Sequence, residues 1–403
     1  MALGKGTRSP DVIVIGGGLI GCAIALRLAQ QKLRVSIFDR GKPGSEASSA
    51  GAGMIAPQGE TTQPDAFYEL CAMSRDLYAG FVEEVEELSG CKVGFRREGT
   101  LMVALDETQR DELQKIYEAQ ANAGLKVERL SPEETRRCAP QLSSEVRSAL
   151  FIPQDYWLDN VLLMQALEQA CLRVGVSFYP DARVGRLLAS KGRVEGTEIR
   201  AESGSISGYH TAGQFVLAAG AWSGEIASTL GISLPVKPCR GQMVEFGGAP
   251  DFPLVVRAGH HYLVPRSGGR IIAGSTMEYK GFEKAVTGEG LRSILEGAVA
   301  IAPVVKDLRF RAAWSGLRPD TEDHLPILGY GEITNLVFAT GHFRNGILLT
   351  PITAQLISEL ILKGSTSRPL ERYSPARFRP GYCDAGRHAA QPGQAPSKSS
   401  VTS

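Results

Sequence analysis

Three glycines in G-x-G-x-x-G order, Gly16, Gly18 and Gly21, stand between the apolar tetrapeptide 12–15 and a run of small aliphatic residues. An acid, Asp39, closes the next apolar stretch. Each residue type has a task if the ligand is a dinucleotide. Gly16 makes the tight turn, Gly18 lets the backbone approach a pyrophosphate, and Gly21 lets helix and strand pack closely. The helix N-terminus then faces the phosphates, where its free amides and dipole favour negative charge. Asp39 lies where an acid that hydrogen-bonds an adenosine ribose belongs. Three glycines alone could serve packing only. With a strand before, a helix after and the acid at the right distance, residues 11–39 read as a complete βαβ dinucleotide unit.

More of the chain is suited to close backbone approach. Residues 45–54, SEASSAGAGM, are too poor in bulk for a core strand or an ordinary helix; their amides and hydroxyls are expected to line the same cofactor. Residues 215–223, FVLAAGAWS, form a buried strand ending in a small-residue turn that suits passage beneath a bound cofactor. Two dense motifs follow, 314–329 (WSGLRPDTEDHLPILG) and 337–361 (VFATGHFRNGILLTPITAQLISELI), the second again strand, glycine turn and helix. A helix N-terminus there favours the negative charge that a reduced flavin carries near its N1 and C2 carbonyl. So many small-residue contacts exceed what a nicotinamide needs, and flavin is favoured. No Ser-His-Asp pattern, P-loop or metal-ligand spacing is visible, so no metal site is expected.

The elements that must position these residues alternate between two patterns. Apolar positions Phe67, Leu70, Leu77, Phe81, Val85 and Leu88 predict one face of a long helix. A strand over 99–105, a helix over 107–123 and the capping box Ser131-Pro132-Glu133-Glu134 begin a second lobe. Asp159 starts a helix with Leu162, Leu163, Ala166, Leu167 and Ala170 on one face, and a strand follows over 176–179. Strands over 242–246, 262–265 and 271–275 predict an antiparallel sheet, with a helix near 291–300 and a last strand over 310–314. The fold class is therefore α/β plus α+β: a Rossmann-like FAD-binding domain with an interleaved antiparallel-sheet substrate domain. The expected division is a short tail over 1–10, an FAD-binding domain from 11–90, 146–235 and 315–379, a substrate domain from 91–145 and 236–314, and a disordered tail over 380–403.

A chain of 403 residues has room for such a pair. Its net charge of +1 gives no reason to expect a nucleic-acid groove or a polybasic membrane patch. Seven cysteines, an odd number without C-x-x-C spacing, fit reduced thiols in a cytosolic protein. The first ten residues show no apolar signal segment, and the longest apolar stretch, 347–362, is broken by polar residues. A soluble, cytoplasmic protein with a small partner is expected.

These motifs resemble the D-amino acid oxidase superfamily of FAD-dependent amine oxidases, and within it the glycine-oxidase branch of thiamin biosynthesis. The resemblance covers 12 to about 373 and rests on GGGLIG, SSAGAGM, HYLVPR (261–266), the 314–329 motif and GHFRNGILL (341–349). It implies FAD held through Gly16, Gly18, Leu19, Ile20 and Gly21, then Asp39 and Arg40, Ala47 and Ser48, and Ala52, Gly53 and Met54. The backbone of Val184 and the loop His342, Phe343, Arg344, Asn345, Gly346, Ile347 and Leu348 complete that set. It implies a substrate carboxylate bound by Arg318, with Tyr262 beside it and Arg344 at the same end. A guanidinium fork and an oriented phenol suit that task. The alternatives are an Arg318 ion pair with Asp320 or Asp323, a loop-holding role for Arg344, and strand packing for Tyr262. His260, His261, His324 and His342 are expected to be structural or pocket-lining, and no residue is expected to act as acid or base. Asp39 departs from the glutamate usual in the family, a shorter acid that reaches the ribose through adjusted backbone or water.

The implied reaction is hydride transfer from the α-carbon of glycine to the flavin. The imine is then hydrolysed to glyoxylate and ammonia or passed to thiazole synthesis, and molecular oxygen is reduced to hydrogen peroxide. Implied partners are a small amino acid, oxygen, a thiazole synthase and further copies of the chain, a tetramer by analogy. The rivals are a sarcosine or D-amino acid oxidase, a dehydrogenase with another electron acceptor, and an FAD-binding assembly factor without turnover.

Overall fold

The computed structural model describes residues 9–201, 204–250 and 252–379. The expected tail over 380–403 and the first eight residues lie outside the described residues. The strand Val12–Ile15 is buried at every position, as a strand covered on both faces must be. It sits in a six-stranded sheet ordered Ile327–Tyr330, Leu336–Thr340, Gln214–Leu217, Val12–Ile15, Val35–Phe38, Ser177–Tyr179. Neighbours are parallel except for the first pair, an antiparallel edge. Val12, Val14, Val35 and Ile37 point to a helical layer formed by Leu19–Gln30, Ala66–Ser89, Asn160–Arg173 and Thr350–Lys363. Alternate residues Ile13, Ile15, Phe215 and Leu217 point the other way, onto Val184, Leu187, Val194 and Ile199 of a three-stranded antiparallel sheet. That small sheet, Arg183–Ser190, Arg193–Arg200 and Ile206–His210, has no counterpart in the sequence reading.

Local signals place the helices well. Asp65, Ser131 and Asp159 each cap a helix through the side chain, and Ser131 with Glu134 forms the reciprocal capping box. The Ala66–Ser89 helix buries Leu70, Phe81 and Val85 as expected, together with Tyr68, Tyr78 and Val82. Leu77 instead faces outward, 37% exposed. The buried face is turned by packing against two helices at once.

The second layer is an eight-stranded sheet ordered Arg309–Thr321, Val236–Gly247, Arg270–Gly274, His261–Arg266, Val255–Ala258, Thr100–Ala104, Ser148–Ile152, Glu128–Leu130. It is antiparallel except between Val255–Ala258 and Thr100–Ala104, which run parallel. The strands expected to be antiparallel, over 242–246, 262–265 and 271–275, are so, and the parallel seam joins them to 100–104, which arrives on a separate excursion of the chain and is free to pair in either sense. The strand Ser148–Ile152 pairs with Thr100–Ala104, so the chain leaves this sheet after 152 and not at 146. Arg309–Thr321 runs unbroken through the expected boundary at 314–315 and pairs with the whole of the 12-residue strand Val236–Gly247. Glycines at 241 and 316 and prolines at 238 and 319 face each other in register, and they hid the parts of these strands beyond 242–246 and 310–314 from an alternation count. Within 45–54, Ala47–Ala50 makes one helical turn, and Met54–Ile55 pairs with Tyr156–Trp157.

Candidate active site

A cavity of about 520 Å³ opens where Val12–Ile15, Val35–Phe38, Gln214–Leu217 and Leu336–Thr340 end, lined there by Ile15, Phe38, Ala218 and Thr340. This is the carboxyl edge of a parallel sheet, where such folds bind ligands. Gly16 holds φ +104°, and a Cβ on it would meet the Ala218 carbonyl oxygen at 2.4 Å. A Cβ on Gly18 would meet Ser48 Oγ at 2.9 Å. Gly21 does not line the cavity; its added Cβ would fall 2.0 Å from the Gly16 oxygen, so it serves the packing expected of it. The Leu19 amide donates to Ser48 Oγ at 3.0 Å, which joins the small-residue run to the helix N-terminus.

Asp39 Oδ2 accepts from the Gly17 amide at 2.7 Å and Oδ1 from Gly41 at 2.9 Å. Burial raises its pKa despite these amides. The shorter acid thus braces the glycine turn itself, and a carboxylate has further lone pairs for a hydroxyl. Along the wall the cations Arg40, Lys42, Arg183, Arg200, Arg318 and Arg344 outnumber the acids Asp39, Glu46 and Glu225. That surplus suits a pyrophosphate. Arg40 lies 4.2 Å from the Trp222 ring. Sequence reasoning missed Arg183 and Arg200 because they belong to the unread small sheet. A glycine cradle closed to a Cβ, helix N-terminal amides and excess positive charge together fit a dinucleotide. Leu19, Ile20, Ala47, Ser48, Val184, His342, Phe343, Gly346 and Ile347 line this same cavity.

Ala52, Gly53, Met54, Asn345 and Leu348 line a second chamber of about 90 Å³. The two cavities share Ala47, Gly51, Arg318, Arg344 and Ile347, so they adjoin. Tyr262, 5% exposed, donates its hydroxyl to Met243 Sδ at 3.4 Å, a weak acceptor. Arg318 donates from Nη1 to the Thr276 carbonyl at 3.1 Å and from Nη2 to Ser275 Oγ at 2.9 Å. The absence of a side chain at Gly241 makes room for it, since a Cβ there would lie 2.2 Å from Nη1. The suggested ion pairs do not form. Asp320 accepts from Tyr279 Oη at 2.6 Å and meets His324 Nδ1 at 2.7 Å, while Asp323 pairs with Arg377 at 2.7 Å.

Arg344 is held by an acid that the sequence reading passed over. Its Nη2 lies 2.6 Å from Glu60 Oε2, and Glu60 Oε1 lies 2.7 Å from Arg257 Nη1. Burial alone would raise the Glu60 pKa, but the charges of Arg257, Arg344 and Arg318 outweigh it and hold the carboxyl below its usual range. Beneath it, Asp155 is fully buried and accepts from the amides of Gln58 and Gly59 at 3.2 and 2.9 Å, fixing the segment that carries Glu60. Nothing local marks either acid as buried; both look like ordinary loop residues.

Burial pushes Asp155 up to about 7, against the pull of those amides and of Arg75 and Arg257. A carboxyl raised above its unfolded value contributes stability that is fully present below about pH 4 and is lost as pH rises through 7. Chemical denaturation of wild type and Asp155→Asn at pH 5 and 8 checks this: the wild type should lose more stability between the two than the variant. His342 is pushed down to about 3 by burial, with Nε2 3.1 Å from Thr353 Oγ1, so its ring is neutral near pH 7. His324 stacks on Phe343 at 5.0 Å, and burial lowers the pKa of half-buried His261.

A dinucleotide cavity at a parallel sheet edge, opening into a small arginine-bearing chamber roofed by a second sheet, defines a flavin-dependent oxidoreductase of the two-sheet type. The model of the DAO family, FAD dependent oxidoreductase, matches residues 11–360, and the chain belongs to this family. It is 34% identical over 376 residues to a glycine oxidase of Geobacillus kaustophilus, covering 92% of this chain and 98% of that one. It is 37% identical over 377 residues to the bifunctional protein ThiO/ThiG of Synechocystis sp., covering 91% of this chain but 54% of that protein, about half its length. The crystal structure of the Geobacillus kaustophilus glycine oxidase superposes with a TM-score of 0.86 at 33% identity, covering 93% of this chain and 100% of that one. Among the described residues, no helix is long and apolar enough to cross a membrane.

Proposed function

We propose that the protein oxidises glycine and other small amino acids to the 2-oxo acid and ammonia, with oxygen reduced to hydrogen peroxide. For glycine the balance is glycine, O₂ and H₂O giving glyoxylate, NH₃ and H₂O₂. The observation that carries this reading is Arg318: a guanidinium held by a carbonyl and a hydroxyl, not by a carboxylate, inside a 90 Å³ chamber beside the dinucleotide cavity. A chamber of that size takes a very small amino acid.

FAD, when bound, supplies a two-electron acceptor. The glycine turn (Gly16, Gly18, Leu19, Ile20), Asp39, Arg40, Ala47, Ser48, Val184 and the 342–348 loop hold it, with Ala52, Gly53 and Met54 facing the small chamber. Arg318 pins the substrate carboxylate and so fixes where the α-carbon lies. Tyr262, whose hydroxyl is engaged only by a thioether, has a donor to turn toward the same carboxylate. Met54, Met243 and Leu348 keep the chamber apolar and limit water. No strong base is needed when the amine arrives neutral, and neutral His342 leaves no charged imidazole in the flavin loop. The bifunctional ThiO/ThiG relative supports delivery of the imine to thiazole formation, with a thiazole synthase as partner.

The test is peroxide release in air from purified yellow protein offered glycine, sarcosine, D-alanine and D-proline. Glycine should match or exceed the others in kcat/KM. Flavin bleaching without peroxide would point to a dehydrogenase, and no bleaching with any amine would remove the substrate assignment.

A further inference from the structure

Four guanidinium groups lie at the small chamber and its floor, and only one of the four has no acid against it. Arg257 has Glu60, with Asp155 within electrostatic reach; Arg344 has Glu60; Arg75, lower down, has Asp76 at 2.7 Å. Arg318 alone keeps its charge open to the chamber. Glu60 itself lines that chamber together with Arg318 and Arg344. Its side chain is 16% exposed, and each oxygen meets a different arginine. It is thus a fixed negative charge on the wall of an anion site.

We infer that Glu60 sets the number of carboxylates the chamber accepts: by pairing with Arg344 it leaves Arg318 as the one guanidinium open to the chamber, so the site takes monocarboxylates and turns away dicarboxylates. Glu60 acts in two ways. It occupies the guanidinium that a second carboxylate would need, and it repels that carboxylate directly, the repulsive element by which a site rejects a near neighbour of its ligand. Arg344 is then a balanced partner and not a second clamp. The inference rests on the chamber being the carboxylate site proposed above, but it does not depend on which amino acid turns over.

The experiment titrates the flavin-loaded protein with acetate and with malonate, reading binding from the perturbed flavin spectrum, which requires no turnover. Wild type should favour acetate. Glu60→Gln should raise the malonate-to-acetate affinity ratio about tenfold or more, the scale of one freed charge-assisted contact. Glu60→Asp, which keeps the charge, should stay near the wild-type ratio. An unchanged ratio in a Glu60→Gln protein that still binds acetate would overturn the inference. If that variant fails to fold, the charge-balanced Glu60→Gln/Arg344→Gln double variant decides: acetate affinity within about threefold of wild type supports it, and a loss of tenfold or more shows that Arg344 itself holds the carboxylate. Shifted ratios with no glycine turnover would sink the glycine reading alone. A wild type that binds neither anion would sink both.

Discussion

Arg318→Ala should raise the KM for glycine by roughly 30- to 5000-fold, because truncating one partner of a desolvated charge pair costs about 2–5 kcal/mol. The size follows from how the side chain is held. Both terminal nitrogens are engaged by the rim of the eight-stranded sheet, through Thr276 and Ser275, so the fork is oriented before any ligand arrives. Gly241 gives it space, and Asp320 and Asp323 are occupied elsewhere. Arg318→Lys should recover only part of the loss, since a point charge cannot reproduce two parallel donors. FAD should remain bound, because the glycine turn, Asp39 and the small-residue run are untouched. Steady-state kinetics read beside the flavin-to-protein absorbance ratio check both halves. Unchanged KM with intact flavin would remove the carboxylate clamp.

What could be read in advance divides by the range of the interaction that fixes it. The βαβ unit, the capping box at Ser131 and the cap at Asp159 are determined within a few residues, and the structure has each where the residues put it. The small sheet beside the cofactor cavity was not legible. Its inward residues Val184 and Leu187 fall three apart and Val194 and Ile199 five apart, because the register shifts twice along the pair, so no alternation is left to read, and charged residues interrupt both strands. Its hairpin turns at Lys191-Gly192, both at positive φ, and lacks the asparagine or aspartate that usually marks such a turn. The candidate site shows the same limit. Arg318 and Arg344 were visible as guanidinium groups in glycine-rich motifs, whereas their different charge environments depend on Glu60, far off in sequence. An acid in a short loop is normally solvated. Only the stacking of the second sheet over the first turns Glu60 and Asp155 inward.

Gly16→Ala should cost roughly 2–6 kcal/mol of stability. Two penalties add: about 1–3 kcal/mol for a side chain at positive φ, and about 1–3 kcal/mol for forcing atoms into a filled site. The added carbon would meet backbone, the Ala218 carbonyl at 2.4 Å and its carbon at 2.7 Å, which cannot rotate away as a side chain can. Ala218 follows the strand Gln214–Leu217, the parallel neighbour of Val12–Ile15, so relief would require parting the centre of the six-stranded sheet. Gly18→Ala provides the contrast. Its nearest obstacle is Ser48 Oγ at 2.9 Å, a hydroxyl that can turn aside, so stability should fall little while flavin affinity falls through the narrowed approach to the helix N-terminus. Thermal unfolding of both variants, with flavin content measured in parallel, separates the two effects. Gly16→Ala should lower Tm and lose flavin together, and Gly18→Ala should lose flavin with little change in the Tm of the flavin-free protein. Equal Tm losses in the two would mean that the glycines act only on packing, and the cradle would lose its physical basis.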